Sequence, residues 1–181
     1  MSNKGKKRKD STMAALLEEK PRRGRPRRAV ARQNVYVALT AMQKEQLDQL
    51  AALLPKSLGR ADLADLAITT LTVRMDALRH AVADRSREIP EGITDFESLY
   101  LLWDLPLPPE DKSEWTSIRV SPQQAIELGR IHGTLKAIFG ANRSQTFGLA
   151  LAMLNQFLAT TTLPGKATLE QARQRIAQVY L

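Results

Sequence analysis

With 181 residues, 43% of them hydrophobic and 25% charged, the chain has material for one compact domain or two small modules with tails, which excludes a large multi-domain assembly and disorder throughout. Its net charge of +8 is lopsided: residues 1–33 carry 12 basic and 3 acidic side chains, leaving 15 and 16 for the rest, so a near-neutral body bears a cationic arm. The absence of cysteine excludes disulfides, thiolate nucleophiles and cysteine-based zinc sites, and an apolar run no longer than Phe147 to Leu154 predicts a cytoplasmic protein without a membrane span.

The arm, residues 1–33, is rich in Lys, Arg, Pro and Gly and reads as disordered when free, with one or two helical turns over Thr12 to Lys20. At Asn34 strict alternation begins: Val35, Val37 and Leu39 on one side, Asn34, Tyr36 and Ala38 on the other, the pattern of a half-buried strand. Thr40 to Gln43 forms a capping box for a helix with Leu47, Leu50 and Leu54 on one face, closed by Pro55. A longer helix is predicted over 60–82, with Leu63, Leu66, Ala67, Leu71 and Leu78 as its buried stripe.

Residues 83–113 form a connector marked by Pro90, Gly92, Pro106, Pro108 and Pro109 around a short helix, capped by Thr94 with Glu97 and carrying Phe96, Leu99, Tyr100 and Trp103. The first pattern then returns in residues 114–160. Trp115 to Val120 alternates, with Ile118 and Val120 inward and Ser117 and Arg119 outward. Ser121-Pro122-Gln123-Gln124 predicts a capping box with proline at the first helical position. The helix it opens carries Leu128, Ile131, Leu135 and Ile138, and another follows over 143–159 with Phe147, Ala150, Leu151 and Leu154 inside. Thr40 aligns with Ser121, Leu47 with Leu128, and Leu50 with Ile131. After two extra residues in the second turn, Ala67 aligns with Ala150 and Leu71 with Leu154. In the last segment, 161–181, Thr168 opens a helix with Leu169, Ala172, Ile176 and Val179 on one face.

A strand, helix, helix unit of about 45 residues has unpaired strand edges and too little core to stand alone, so the two strands are expected to pair antiparallel. On these residues the chain resembles the tandem members of the ribbon-helix-helix superfamily of bacterial, phage and plasmid DNA-binding proteins. The resemblance implies a mainly α fold in which two short antiparallel strands form one ribbon over four core helices, here with a connector helix and a C-terminal helix added. It also implies a ribbon that enters the major groove and reads bases through alternate outward side chains. Carried over, these are Asn34, Tyr36 and Ala38 in the first strand and Ser117 and Arg119 in the second. The family anchors the DNA backbone at the start of each second helix after a Gly/Asn-x-Ser/Thr turn. Asn142-Arg143-Ser144 matches, while Gly59-Arg60-Ala61 keeps the amides and lacks the hydroxyl. Unequal halves imply a non-palindromic or imperfectly palindromic target.

Within the arm, Arg22-Arg23-Gly24-Arg25-Pro26-Arg27-Arg28 resembles an AT-hook, with Arg22 displacing the upstream Pro21 from the usual core. Glycine lets an extended backbone reach the floor of a narrow A·T minor groove, and the arginines follow its negative potential. Lys6-Lys7-Arg8-Lys9 reads as a generic phosphate clamp. His80 and His132 stand isolated, no Gly-rich phosphate loop follows a strand, and no pair of carboxylates is arranged for catalysis, so no enzyme, metal or cofactor is expected. The expected partner is double-stranded DNA, and the expected role that of a transcriptional repressor or an accessory factor in plasmid partition or conjugation. A second copy or a protein partner is accommodated through the connector or C-terminal helix. The alternatives are an antitoxin-like protein-interaction adaptor and an architectural nucleoid protein of weak selectivity.

Overall fold

The structure, a computed structural model, describes residues 31–84, 93–108 and 110–181. The predicted turns over Thr12 to Lys20, the AT-hook-like stretch, Lys6 to Lys9, Pro90, Gly92 and Pro109 lie outside the described residues. The chain is mainly helical around one two-stranded antiparallel sheet. In order come β1 (Gln33–Thr40), α1 (Ala41–Leu53), α2 (Arg60–Ala83), the short α3 (Ser98–Leu102), β2 (Ser113–Val120), α4 (Pro122–Phe139), α5 (Arg143–Thr160) and α6 (Leu169–Tyr180).

The core follows from the two periodicities. Val37, Leu39, Ile118 and Val120 are the inward, buried members of their strands. They meet Leu47, Leu50 and Leu54 of the first helix and its cap, Leu128, Ile131 and Leu135 of α4, and the buried stripes of α2 and α5. At the centre lies α2, which packs on α1, α4, α5, α6 and β2. Phe96, Leu99, Tyr100 and Trp103 of the connector join the same core, so the connector is part of the body. Gln156 of α5 donates to the carbonyls of Trp103 (3.0 Å) and Asp104 (3.2 Å), and Arg74 of α2 sits over the rings of Trp103 and Tyr180.

The sheet register carries the most information. Asn34 pairs with Arg119, Tyr36 with Ser117 and Ala38 with Trp115. Thr40 and Ser121 are 81 positions apart, and so are Tyr36 and Ser117. Tyr36 thus lies opposite its own repeat counterpart, and the pairs 34/119 and 38/115 interchange under the same offset. The ribbon therefore has a local twofold axis between Tyr36 and Ser117, in register with the alignment drawn from the helices.

Several expectations are corrected in detail. Both strands are longer than the alternation indicated, and Arg32, assigned by sequence to the arm, is packed into the body. Ile138 and Val179 face solvent, 63% and 43% exposed, because each lies at the last turn of its helix beyond the packed stripe. The connector helix is capped by Asp95, whose Oδ1 accepts from the Ser98 amide at 2.8 Å and its hydroxyl at 2.7 Å, rather than by Thr94 with Glu97.

Thr40 and Gln43 do form the predicted box, at 3.1 and 3.2 Å, but Ser121 and Gln124 do not. Instead the Ser121 amide donates to Oδ1 of Asp65 at 2.9 Å, and Ser121 Oγ and Gln124 Oε1 are buried without a hydrogen-bond partner. The repeat explains the exchange. Asp65 is the counterpart of Gly148, where an added Cβ would come within 2.7 Å of Gln43 Nε2. Glycine leaves room for the glutamine cap in one half; the carboxylate replaces it in the other.

Candidate nucleic-acid interface

The outward face of the ribbon presents three cross-strand pairs, Asn34–Arg119, Tyr36–Ser117 and Ala38–Trp115. All are exposed except Ala38, which is half-buried. Tyr36 is 64% exposed and does not cover the core. The Ala38 amide turns away from β2 and donates to Ser144 Oγ at 2.7 Å, which marks its pair as one without ladder hydrogen bonds, and by alternation the other two outward pairs are of the same kind. Side chains of such pairs stand closest across a ribbon, so the six form one compact surface. Trp115, 75% exposed, is the member that parity of the polar positions alone left out. The signal was present: 115, 117 and 119 share one parity, and only burial separates an outward tryptophan from a core one.

The two ends of this face differ. Beside Asn34–Arg119 lies the start of α2. Gly59 donates its amide to Asp62 Oδ2 at 2.7 Å, and Arg60 pairs with Asp48 at 2.8 Å. Arg32 reaches across this end: its guanidinium donates to Asp62, to the Ala61 carbonyl and to the Arg119 carbonyl (3.3 Å), and lies 3.2 Å from the fully buried Asp65. Arg173 of α6 pairs with the same Asp65 at 3.4 Å. Asp62 therefore places a carboxylate where the sequence motif indicates only amides, and Arg32 balances it.

Beside Ala38–Trp115 lies the start of α5. Asn142 and Gln145 cap it reciprocally, at 2.8 and 2.9 Å. The amides of Arg143 and Ser144, in the first turn, have no intrahelical acceptor. The Ser144 hydroxyl, expected to meet phosphate, holds β1 against α5 by accepting from Ala38, and its own proton remains to be donated. Burial first, then the charges of Arg143 and Lys136, lower the pKa of His132.

A groove of about 1070 Å³ runs between this end of the ribbon and the connector. It is lined by Tyr36, Ala38 and Trp115 of the ribbon, by Arg143 and Ser144 at the start of α5, and by the carboxylates of Asp95, Glu97, Glu110 and Asp111. The side-chain and backbone hydrogen bonds from Ser98 hold the Asp95 carboxyl below its usual pKa. The chain matches no protein-family model, no curated protein and no solved structure. Among the described residues no group of three or more His, Asp or Glu is placed to hold a metal, and no helix is long and apolar enough to cross a membrane.

Proposed function

We propose that the chain is a tandem ribbon-helix-helix protein that binds double-stranded DNA sequence-specifically, with its ribbon in the major groove and its cationic arm along an adjoining A·T-rich minor groove. The observation that carries this reading is the register: two repeats in one chain place their strands so that an exposed, polar and aromatic face is generated about a pseudo-twofold axis. A two-stranded ribbon fits the major groove, where every base pair has a distinct edge. Arg119 suits guanine O6 and N7, and Asn34 suits adenine N6 and N7. The first-turn amides of α5, with Arg143, suit a phosphate at one side. A transcriptional repressor or an accessory factor in plasmid partition or conjugation is the role this chemistry serves best.

Selection of bound fragments from random DNA tests the reading directly. A recovered motif with two unlike halves is expected. Arg119→Ala should then weaken binding to that motif by about 1–3 kcal/mol and relax selectivity at one base pair, while non-specific binding hardly changes. Arg143→Ala should weaken all sequences alike. A variant that melts normally and keeps wild-type affinity and selectivity at Arg119→Ala removes the ribbon from the reading role.

The acidic groove favours a second reading, an adaptor that binds a basic peptide between ribbon and connector. Recovery of no preferred DNA, together with binding of a basic peptide that is abolished in Glu97→Gln/Glu110→Gln, would favour it.

A further inference from the structure

We propose that the Ala38–Trp115 end of the ribbon recognises thymine through its C5-methyl group, so that one half of the target is read by apolar contact and the other by hydrogen bonds. The inference rests on the DNA reading above and names what that surface selects. Under the pseudo-twofold axis, the Ala38–Trp115 pair occupies the place that Asn34–Arg119 occupies at the other end. Equivalent positions would meet equivalent places in the two halves of a bound site, yet their chemistry is opposed. Asn34 and Arg119 offer an amide and a guanidinium, both suited to bidentate pairing. Ala38 offers a methyl group and Trp115 an indole with a single N–H donor.

The exposure of Trp115 calls for an explanation of its own. Leaving an indole 75% exposed as the third residue of β2 forgoes much of the largest apolar burial a side chain can supply, and Trp103 in the same chain is 8% exposed. The pairing fixes how it stands. Trp115 lies directly across from Ala38, the smallest outward residue, and the Ala38 backbone is clamped to α5 through Ser144 at 2.7 Å. A large flat side chain beside a small one on a clamped backbone makes an apolar step where the ribbon lines the groove. In the major groove the feature that projects from a base pair and is apolar is the thymine methyl, which alanine and aromatic side chains contact favourably. Cytosine lacks it and presents an amino group in the same region, which an indole face would strip of water without offering an acceptor.

The test replaces single thymines of the selected site by deoxyuridine, which removes the methyl and keeps the pairing, and follows binding by fluorescence anisotropy. In the half next to Trp115 one or two replacements should weaken the intact protein about fourfold each, the factor for one methyl-sized group buried from water at ~0.8 kcal/mol. In the half next to Arg119 they should have little effect. Trp115→Ala should bind the thymine and deoxyuridine sites equally, and Trp115→Phe should restore part of the difference. Thermal melting of both variants controls for folding. Indifference of the intact protein to every replacement, or a difference that survives in Trp115→Ala, overturns methyl recognition while leaving ribbon-based DNA binding standing. Recovery of no preferred sequence at all overturns both.

Discussion

Asp65 shows how much one side chain settles. It is fully buried on α2, is paired with Arg32 and Arg173, and accepts the Ser121 amide, so it caps α4 from another helix. Removing the carboxylate leaves two guanidinium groups without their shared partner and the Ser121 amide without its acceptor. Asp65→Ala should therefore cost about 3–5 kcal/mol, seen in urea as a lower midpoint with an unchanged slope. Asp65→Asn, which can still accept from Ser121, should lie between the two. Arg173→Ala should cost less than Asp65→Ala, because Arg32 remains on the carboxylate. None of this was legible in the sequence: Arg32 and Arg173 stand 33 and 108 positions from Asp65, and a lone Asp inside an apolar stripe gives no sign of its partners.

At the scale of elements the sequence spoke more clearly, because helices and strands advertise themselves through period. The buried stripes of α1, α2, α4 and α5 and the alternation of both strands were readable, and so were the boxes at Thr40 and Thr168. What failed was local chemistry decided by a distant neighbour. Ser121-Pro122-Gln123-Gln124 satisfies every local rule for a box, and Asp65 overrides it. The candidate site divides in the same way: the outward positions of Asn34, Tyr36, Ser117 and Arg119 followed from parity, whereas Trp115, Asp62 at the start of α2 and the carboxylates lining the groove needed the fold. The position of Arg32 also decides where the arm can be removed without disturbing the body. Deletion of residues 1–30 keeps the Arg32 network, whereas deletion through residue 33 would take the pin with it. The shorter deletion should flatten the dependence of log affinity on log salt by about 0.9 for every phosphate the arm neutralises, and leave the preferred sequence unchanged. An unchanged slope places the arm off the DNA.

For the whole molecule, pairing of β1 with β2 inside one chain means that the ribbon needs no second copy. Dilution should leave helical circular dichroism and melting temperature unchanged, and light scattering should find a folded monomer at the lowest concentrations. Loss of structure on dilution would instead require a ribbon shared between chains. The Arg32 pin has a mechanical consequence as well. A strand pulled from its own end in a two-stranded ribbon peels from its neighbour one rung at a time, the weakest way to load a sheet. Here tension on the segment before Arg32 reaches the carboxylates of Asp62 and Asp65 on the central helix before it reaches the first rung, Gln33 with Val120. Asp65 in turn is held from the other side by Arg173 of the last helix. A tug on the front of the chain is thus carried into the middle of the body and shared with its far end, and the outward face of the ribbon is spared the strain.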